Sequence, residues 1–422
     1  MIGTWTCDGG TKTEVSCFFI CQTVKEQFVP AQLNPDLNDE CRVLYVLRET
    51  PQIFAQIAAS DGSELALQSI LRRQYPDDVV RGAITLQALR RKGSIKFSRA
   101  DQMWFDRQGL EQSTSEGVAR HKALRFQGSV WDLCCGIGSD ALAQAIHCEV
   151  MAFDMNPAAT LRTQWNAEVY GVDHRLQTRT ADVLQLHGIE GLIHIDPDRR
   201  PGSSGRVSRI EDYVPGLEFL KAMMPRCRGG AIKLSPASNF GGKFPGAEIE
   251  LISLHGECKE ATVWFGDLAS KSEFRATVLP SGATVAGHPL EVAVPVVPLG
   301  SYLYDPDPAV VRAGLVDLVA DQLGLGRLDA AEEYLTSEQR IVSPFVQTFE
   351  VLANLPNNER DLKGWLRTSG IGPLEIKCRH IPTQADALRR RLPLTGSLQG
   401  VVVIARLNGK ARIVCARRVQ TG

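Results

Sequence analysis

The sequence predicts an α/β fold, in which a central domain with a mostly parallel sheet lies between a helical N-terminal region and a small α+β C-terminal domain. Two observations support this prediction. Short apolar runs alternate with helical stretches from residue 127 to about 280, as in a parallel sheet covered on both faces. A proline-rich crossing from Pro289 to Pro308 then precedes a strand, helix and hairpin pattern. At roughly 100 to 200 residues per domain, 422 residues fit domains at 1–126, 127–300 and 301–422.

The composition excludes several classes of protein. With 44% apolar and 23% charged residues, the chain is neither disordered nor a small disulfide scaffold. No run approaches ~20 apolar residues and the start lacks the basic region of a signal peptide, so we expect a soluble, cytoplasmic protein without a membrane partner. Eleven cysteines, with Cys134 and Cys135 adjacent, favour reduced thiols. Cys7, Cys17 and Cys21 lack a second ligand pair at zinc spacing, and we predict no metal site.

The N-terminal region is predicted to be helical. Residues 1 to about 40 show no clear period, and whether they are ordered stays open. From Val43 to Phe126 the apolar residues follow a helical period, with turns at Pro76-Asp77-Asp78 and Lys92-Gly93-Ser94.

The last helix of this region is predicted from a capping signal. Ser113 and Glu116 have the spacing of a capping box ahead of an apolar run. We therefore expect a helix from about Thr114 to Phe126, leading directly into the first strand of the central domain.

The central domain is predicted from buried strands that alternate with helices. The strands are short apolar runs at Ser129–Cys134, Val150–Asp154, Leu192–Asp196, Ala231–Ser235 and Thr262–Phe265. The stretches between them that are long or periodic enough for a helix are Asp140–Ile146, Asn156–Tyr170 and Ile210–Met224.

The C-terminal domain begins acidic and ends basic. Ala309 to Leu355 is acidic and predicted to be helical. A strand at Leu374–Cys378 and a helix at Thr383–Leu392 follow. The runs Val401–Leu407 and Lys410–Arg417 flank Asn408-Gly409, a strong hairpin signal.

The first chemical signal is a glycine-rich turn between the first strand and its helix, in the segment Val130-Trp-Asp-Leu-Cys-Cys-Gly-Ile-Gly-Ser-Asp-Ala141. Glycines there allow a ligand to approach the backbone and the helix N-terminus. The turn alone leaves the ligand open. Gly136, Gly138 and Ala141 also fit a dinucleotide fingerprint, with Asp154 following at a suitable distance, and a tight turn without ligand is a further alternative.

Four acids at successive strand ends separate these ligands. Asp132 would repel a pyrophosphate but could hold an ammonium, and S-adenosylmethionine has that ammonium and no phosphate. Asp154 ends the second strand and could accept both ribose hydroxyls, whereas Asp182 could reach an adenine amino group. Asp196 ends the fourth strand. Together these acids line the carboxyl edge of the sheet, where open α/β folds bind ligands.

As a set, these motifs resemble the class I S-adenosylmethionine-dependent methyltransferases, over about residues 130 to 280. The resemblance implies a Rossmann-like methyltransferase domain with strand order 3-2-1-4-5-7-6. It also implies that the cofactor S-adenosyl-L-methionine is bound by Asp132, Cys134, Gly136, Gly138, Asp154, Met155, Asp182 and Val183.

Two further segments extend the resemblance. Gly109 to His121 is similar to the helix that leads into this domain in a bacterial branch related to trimethylguanosine synthase. Tyr302 to Pro308 and Gly372 to Arg379 resemble the THUMP-like domain found at the end of such chains. Because THUMP domains proper bind RNA, the resemblance implies a methyltransferase that acts on RNA.

The tetrad in which the resemblance places the catalytic residues departs from the pattern of related enzymes. Methyltransferases of exocyclic amines resemble one another in an acid-Pro-Pro-aromatic tetrad, whereas this chain has Asp196-Pro197-Asp198-Arg199. The resemblance implies catalytic roles for Asp196, Pro197 and Arg199. Arg199 could stack on a base through its guanidinium plane, or pair with Asp198 or a phosphate. We expect neither Cys134 nor Cys135 to be a nucleophile, and we interpret His194 as a core histidine.

The charge distribution favours RNA as a partner. The net charge is only −1, but Arg360 to Gly422 holds 13 Lys/Arg against 3 Asp/Glu, and a milder basic excess lies between Leu71 and Phe126. The predicted function is therefore methylation of a nitrogen of an RNA base. A small-molecule or protein methyltransferase, a catalytically inactive RNA-binding protein and an NAD-dependent dehydrogenase remain alternatives. The RNA, the base, the atom and the oligomeric state stay open.

Overall fold

The computed structural model describes residues 38–189, 191–199 and 209–419, and of Arg199 the backbone only. Most of the segment without a clear period at the N-terminus, with Cys7, Cys17 and Cys21, lies outside the described residues.

The N-terminal region is helical, as predicted. Its helices are α1 (Asp39–Glu49), α2 (Gln52–Ala58), α3 (Glu64–Leu71), α4 (Asp77–Gly93), α5 (Arg107–Gln112) and α6 (Glu116–Ala123). The two predicted turn signals mark the ends of α4, which starts directly after Pro76 and ends at Gly93, although Asp77, Asp78 and Lys92 are themselves helical. Asp77 and Asp78 lie in the first turn of α4 and three basic residues lie in its last turn, which complements the helix dipole.

The predicted capping box at Ser113 is wrong. Helix α6 begins at Glu116, after Ser115, and the Ser115 side chain makes no capping bond. Ser113 instead closes the end of α5, where its hydroxyl donates to the Leu110 carbonyl at 2.9 Å. The Glu116 carboxylate accepts from the backbone N–H of Ser98 at 2.6 Å. A partner so far away along the chain cannot be found from local spacing.

Nine strands form the central sheet. They are β1 (Ser129–Leu133), β2 (Glu149–Asp154), β3 (Leu176–Thr180), β4 (Leu192–Ile195), β7 (Gly229–Leu234), β8 (Glu248–Leu254), β9 (Glu257–Gly266), β10 (Phe274–Leu279) and β11 (Ala283–Gly287), while β5 (Asp198–Arg199) and β6 (Tyr213–Val214) form a separate pair. The order is β3-β2-β1-β4-β7-β9-β8-β10-β11. This confirms the order 3-2-1-4-5-7-6, with β7, β8 and β9 as fifth, sixth and seventh strands, and adds β10 and β11 at one edge. Strand β9 is antiparallel to both of its neighbours.

Parallel pairing brings several strand ends to one edge of the sheet. Leu133, the last residue of β1, is in register with Phe153 of β2 and Ile195 of β4. The loops that leave these strands therefore begin side by side, and Asp154 and Asp196 lie at their starts.

Three helices connect the strands of the central sheet, and one of them was predicted too long. They are α7 (Ser139–Gln144), α8 (Pro157–Tyr170) and α9 (Leu217–Met223). The helix predicted over Ile210–Met224 is wrong in its first half, which forms a 3-10 turn at Ile210–Asp212 and then β6. Pro215 has no N–H to continue a helix, and Gly216 precedes the first residue of α9.

A second sheet forms the C-terminal region. Its strands are β12 (Tyr302–Pro306), β13 (Gly326–Arg327), β14 (Leu335–Ser337), β15 (Val346–Pro356), β16 (Ile371–Cys378), β17 (Leu398–Leu407) and β18 (Lys410–Arg418), in the order β13-β14-β12-β15-β18-β17-β16. The accompanying helices are α10 (Pro308–Ala313), α11 (Val316–Leu323), α12 (Glu359–Ser369) and α13 (Ala385–Arg390).

The hairpin prediction is confirmed. Asn408 and Gly409 connect β17 to β18 with positive φ angles of 47° and 78°.

The prediction of an acidic helical stretch is wrong beyond α11. The acidic stretch contains the long strand β15, which lies between β12 and β18. Glu350 of β15 meets Arg417 of β18 at 2.5 Å, so acidic residues here serve strand pairing with the basic tail.

Two buried clusters cover the two faces of the central sheet. Adjacent residues of β4 show this, because Leu192 packs with the N-terminal helices whereas Ile193 packs with α9, α10 and α11. The first cluster crosses the predicted boundary at 126/127 and the second crosses that at 300/301. The division of the chain at these two points therefore stays a prediction.

Two further features of the described residues concern the apolar character of the helices and the state of the cysteines. None of the helices in the described ranges combines the length and apolar character needed to span a bilayer. The eight cysteines in the same ranges are free thiols, which agrees with the expectation of reduced cysteines.

The buried side chain of Asn166 on α8 joins the N-terminal region to the glycine-rich turn. It accepts from the Trp104 N–H at 2.7 Å and donates to the carbonyls of Trp104 at 3.1 Å and Ile137 at 2.9 Å. Asn166→Ala should lower the free energy of unfolding by about 3 kcal/mol, because three buried backbone groups lose a partner at roughly 1–3 kcal/mol each and relaxation recovers part of that. Urea denaturation measures it. Asn357→Ala, at an exposed position, is the control and should change stability by less than about 0.5 kcal/mol. A loss below about 1 kcal/mol in Asn166→Ala would contradict this role.

Candidate functional site

The glycine-rich turn leaves an open space at the end of β1. Cys134, Gly136 and Gly138 all have positive φ angles, of 61°, 57° and 87°. A Cβ on Gly136 would meet nothing within 4 Å, whereas one on Gly138 would lie 2.8 Å from Thr163. Gly138 is thus required for packing against α8, and Gly136 borders space that a ligand can fill.

Asp154 is tied to this turn. Its Oδ2 accepts from the backbone N–H of Gly136 and its Oδ1 from that of Asn156, both at 2.9 Å. Each oxygen retains a lone pair, so the carboxylate can still accept hydrogen bonds from a diol. Burial raises the pKa of Asp154, and the two backbone hydrogen bonds oppose that rise. The next residue, Met155, is 71% exposed, which is unusual for a side chain of this kind.

The third strand supplies a neighbouring loop. The Ala181 N–H donates to the Asp154 carbonyl at 2.9 Å, which places the two loops side by side. The Asp182 carboxylate accepts from the Leu184 N–H at 2.9 Å, and Val183 is buried. Leu184 and Met155 are both exposed, so the loops after β2 and β3 present apolar side chains next to the carboxylate of Asp182.

Asp132 lies beneath the turn and is 1% exposed. Its Oδ1 is 2.6 Å from Nδ1 of His194, on the adjacent strand β4. Its Oδ2 is buried and has no hydrogen-bond partner among the described residues. A buried carboxylate oxygen without a donor is costly, and a ligand ammonium would satisfy it.

A buried lysine beside this pair was not identified from the sequence. Lys122 of α6 is 1% exposed, and its Nζ lies 2.8 Å from Asp140 Oδ1 and 2.6 Å from Glu260 Oε1. Thr114 donates to the other Asp140 oxygen at 2.7 Å. A signal did exist: Lys122 occupies an apolar position of α6, between the buried residues Ala119 and Ala123.

Asp196 is held at the end of β4 by a second lysine. Lys233 of β7 places its Nζ 2.6 Å from Asp196 Oδ2 and 3.1 Å from the Gln112 carbonyl. Burial would lower the pKa of Lys233, but nearby carboxylates, Asp196 first among them, raise it. Pro197 is buried, and the side chain of Arg199 lies outside the described part, so its predicted role stays a prediction.

A third lysine fixes the segment above this acid. Lys96 Nζ donates to the carbonyls of Leu110 at 2.7 Å, Glu111 at 3.0 Å and Ser113 at 2.8 Å, which are the end of α5. Burial, with the nearby charge of Lys233, lowers the pKa of Lys96 to about 8. Lys96 and Lys233 thus bind consecutive carbonyls and anchor the α5 terminus next to Asp196.

The two cysteines of the turn are poor nucleophiles. Burial, with nearby carboxylates, raises the pKa of both Cys134 and Cys135 well above the ordinary value. Both are therefore thiols at neutral pH, and only a thiolate is strongly nucleophilic.

The arrangement fits S-adenosylmethionine. Gly136 borders open space, Asp154 has accepting capacity for a ribose, and Asp132 has an unpartnered buried oxygen for an ammonium. The structure thus brings the predicted residues of the first three strands to one edge, with Asp196 beside them.

Comparisons with known proteins agree with this geometry. A family model described as RNA cap guanine-N2 methyltransferase matches residues 127–222, and one described as THUMP domain-like matches residues 346–418. An uncharacterized S-adenosylmethionine-dependent methyltransferase of Mycobacterium tuberculosis, with the same values in strains CDC 1551 and H37Rv, is 35% identical over 335 residues. The aligned part is 76% of this chain and 90% of that protein. The solved structure of a candidate methyltransferase from Porphyromonas gingivalis W83 has a TM-score of 0.71 at 19% identity, over 91% of this chain and all of that one, and so shares the fold.

Gly136→Val should abolish binding of S-adenosylhomocysteine while the protein stays folded, because the new side chain fills the space beside Asp154. The matched control is Gly128→Val, which has a φ of 77° and equally open surroundings, but lies before β1. Both variants carry similar backbone strain, of order 1 kcal/mol. Calorimetry should therefore show loss of binding only in Gly136→Val. Equal affinities in the two variants would contradict the assignment of this space.

Proposed function

This chain belongs to the S-adenosylmethionine-dependent methyltransferases, and on that basis we propose that it methylates a nitrogen of an RNA base. The observation that carries the proposal is the position of Asp196. Its partly exposed carboxylate lies at the end of β4, next to the glycine-rich turn, and is fixed by Lys233. A carboxylate held there can accept a hydrogen bond from an amine that enters the same crevice.

We propose that the predicted residues form the cofactor site. We assign Asp132 to the ammonium, Asp154 to the ribose, and Asp182 with Met155 and Val183 to the adenine, while Cys134, Gly136 and Gly138 shape the turn. When bound, S-adenosylmethionine supplies an electrophilic methyl group. The protein contributes alignment and exclusion of water, which together reduce the barrier to transfer.

Asp196 acts on the accepting amine. An exocyclic amine must lose a proton as its nitrogen becomes methylated, and a carboxylate that accepts a hydrogen bond from it favours that loss. Lys233 occupies Oδ2 of Asp196 and is itself anchored to the Gln112 carbonyl, so the orientation of the acid is fixed from both sides. Pro197 is assigned to shaping the segment after Asp196. A base in a duplex would have to leave its stack to reach this edge.

RNA as the substrate is supported by the two family models and by the basic residues of the C-terminal tail. The net charge of the whole C-terminal domain is smaller than the charge of this tail. Residues 301–359 hold ten Asp/Glu and three Lys/Arg, so residues 301–422 have a net charge of only +3. Eight of the thirteen basic residues of the tail are in ion pairs: Lys363, Lys377, Arg379, Arg389, Arg391, Arg406, Arg417 and Arg418.

Three exposed arginines remain for an RNA backbone. Arg360 and Arg367 on α12 and Arg390 on α13 are exposed and are in no ion pair within the described residues. The apolar faces of α12 and α13 share one buried cluster, so these arginines belong to one compact unit. We propose that this unit contacts phosphates. A cytoplasmic location fits an enzyme that modifies RNA.

The decisive experiment is methyl transfer from labelled S-adenosylmethionine to RNA fractions prepared from cells that lack the protein. Label in an RNA fraction supports the proposal, and digestion to nucleosides identifies the base and atom. Label in protein or small molecules instead would support the alternative methyltransferase. Cofactor binding without any transfer would favour an inactive RNA-binding protein.

Asp196→Ala and Asp196→Asn should each lower kcat by about 100-fold or more, since a positioned proton acceptor contributes roughly 10²–10⁴-fold. Cofactor affinity should change less than about threefold, because the lost interaction belongs to the accepting amine. Single-turnover transfer and calorimetry measure the two effects. Asp212→Asn, in the nearby 3-10 turn, is the control and should retain activity. Full activity in Asp196→Ala would refute the assigned catalytic acid.

Replacing Arg360, Arg367 and Arg390 together by Gln should weaken RNA binding and reduce the slope of log affinity against log salt by about 2, because each lost phosphate contact removes roughly 0.7 from the slope on a single strand. Cofactor affinity should not change. The control replaces three exposed arginines of the N-terminal region, Arg73, Arg81 and Arg91, which alters net charge equally. Filter binding across a salt series compares the two. An equal loss in both triple variants would show that the tail has no special role.

A further inference from the structure

His194 links the cofactor acid to the buried lysine. On one side, its Nδ1 is 2.6 Å from Asp132 Oδ1, and on the other its Nε2 is 3.4 Å from Lys122 Nζ. All three residues are at most 1% exposed. The sequence suggested only a core histidine, but the structure places it between two charged groups.

The protons of Lys122 fix the tautomer of His194. Although burial opposes it, the carboxylates of Asp140 and Glu260 raise the pKa of Lys122, so it is an ammonium with three N–H donors. Two of these donors face Asp140 and Glu260, and His194 Nε2 is the third neighbour. In that arrangement Nε2 accepts, and Nδ1 carries the proton that is donated to Asp132 Oδ1.

We propose that His194 is a positioning residue for the cofactor's ammonium: it orients Asp132 so that the unpartnered Oδ2 receives the ammonium, and it must be neutral so that the ammonium, rather than an imidazolium, compensates the charge of Asp132. The proposal rests on the assignment of Asp132 to the ammonium and does not depend on the methyl acceptor.

A second proton on His194, at Nε2, would give the imidazole a positive charge, and that charge and the ligand ammonium would then compensate the same carboxylate. The charged groups facing the imidazole are Asp132 of β1, Lys122 of α6 and Asp140 of α7, with Glu260 of β9 behind the lysine and Asp196 following on its own chain segment. Burial and the charge of Lys122 lower the pKa of His194, but Asp140 and Asp132 outweigh them and raise the pKa above the ordinary value. Binding of the ammonium is therefore coupled to release of the proton on Nε2.

The sign of the pH dependence follows. As pH falls through the pKa of His194 in the free protein, more His194 must lose its proton before the ammonium binds. Affinity for an ammonium ligand therefore falls toward acid pH, by at most about tenfold per pH unit for one linked proton.

The test compares two ligands by calorimetry between about pH 5.5 and about pH 7.0, where a ligand α-amino group of pKa near 8 stays protonated. S-adenosylhomocysteine carries the ammonium, and 5′-methylthioadenosine has the same nucleoside and thioether without it. The wild type should bind S-adenosylhomocysteine at least about fivefold more weakly at the acid limit and should release protons to the buffer on binding. The affinity for 5′-methylthioadenosine should change less than about twofold, and an equal pH dependence for both ligands overturns the proposal.

Two variants separate positioning from folding. His194→Asn keeps an N–H donor near the Nδ1 position but cannot take a charge, so it should bind S-adenosylhomocysteine at neutral pH within about threefold of the wild type and lose the pH dependence. His194→Phe removes the donor, and should weaken S-adenosylhomocysteine about tenfold or more while 5′-methylthioadenosine is unaffected. Retained binding of 5′-methylthioadenosine shows that the variant is folded. An undiminished pH dependence in His194→Asn assigns the proton to another group and refutes the proposal.

A failure of the His194 proposal can be distinguished from a failure of the Asp132 assignment and from a failure of the proposed RNA methylation. Wild-type affinity for S-adenosylhomocysteine in Asp132→Ala would remove the premise that Asp132 binds the ammonium, and with it the role of His194. None of these measurements involves RNA, so a failure of RNA methylation leaves them unchanged.

Discussion

The buried ammonium of Lys122 is the interaction on which the candidate site at the edge of the sheet depends. An uncompensated charge in a protein interior costs several kcal/mol, so the lysine requires its two carboxylates and they require it. Lys122 comes from α6, Asp140 from the helix after the glycine-rich turn, and Glu260 from β9. These contacts hold the three elements together, and in that arrangement His194 and Asp132 lie beside the lysine.

The N-terminal helices consequently contribute to the proposed active site. Besides Lys122, they contribute the α5 terminus, whose carbonyls are bound by Lys96 and Lys233 next to Asp196. Asn166 ties the segment around Trp104 to the glycine-rich turn. The N-terminal helices and the central sheet share one buried core, and Ile137 of the glycine-rich turn belongs to it.

The C-terminal sheet combines two stretches of opposite charge. The acidic strand β15 pairs with the basic strand β18, and ion pairs such as Glu350–Arg417 join them. Exposed ion pairs of this kind contribute little stability, typically below about 1 kcal/mol, but they neutralise charge that a polyanion would otherwise meet. The proposed contact with RNA therefore depends on basic residues that the fold leaves exposed and outside these ion pairs, such as Arg360 and Arg390.

The sequence by itself determined the elements whose signals are local. The glycine-rich turn, the strands on either side of it and the Asn408-Gly409 hairpin follow from backbone preferences and short-range periodicity, which act within a few residues. The order of the strands was implied by the family resemblance and not by these local signals. Tertiary structure alone decided which charges meet. Ser113 has the spacing of a cap, yet Glu116 bonds Ser98, and His194 has the pattern of a core residue, yet it lies between Asp132 and Lys122. The physical reason is that a buried charge is stabilised by whichever opposite charge packing brings within hydrogen-bond distance, and those partners lie on elements far apart in the chain.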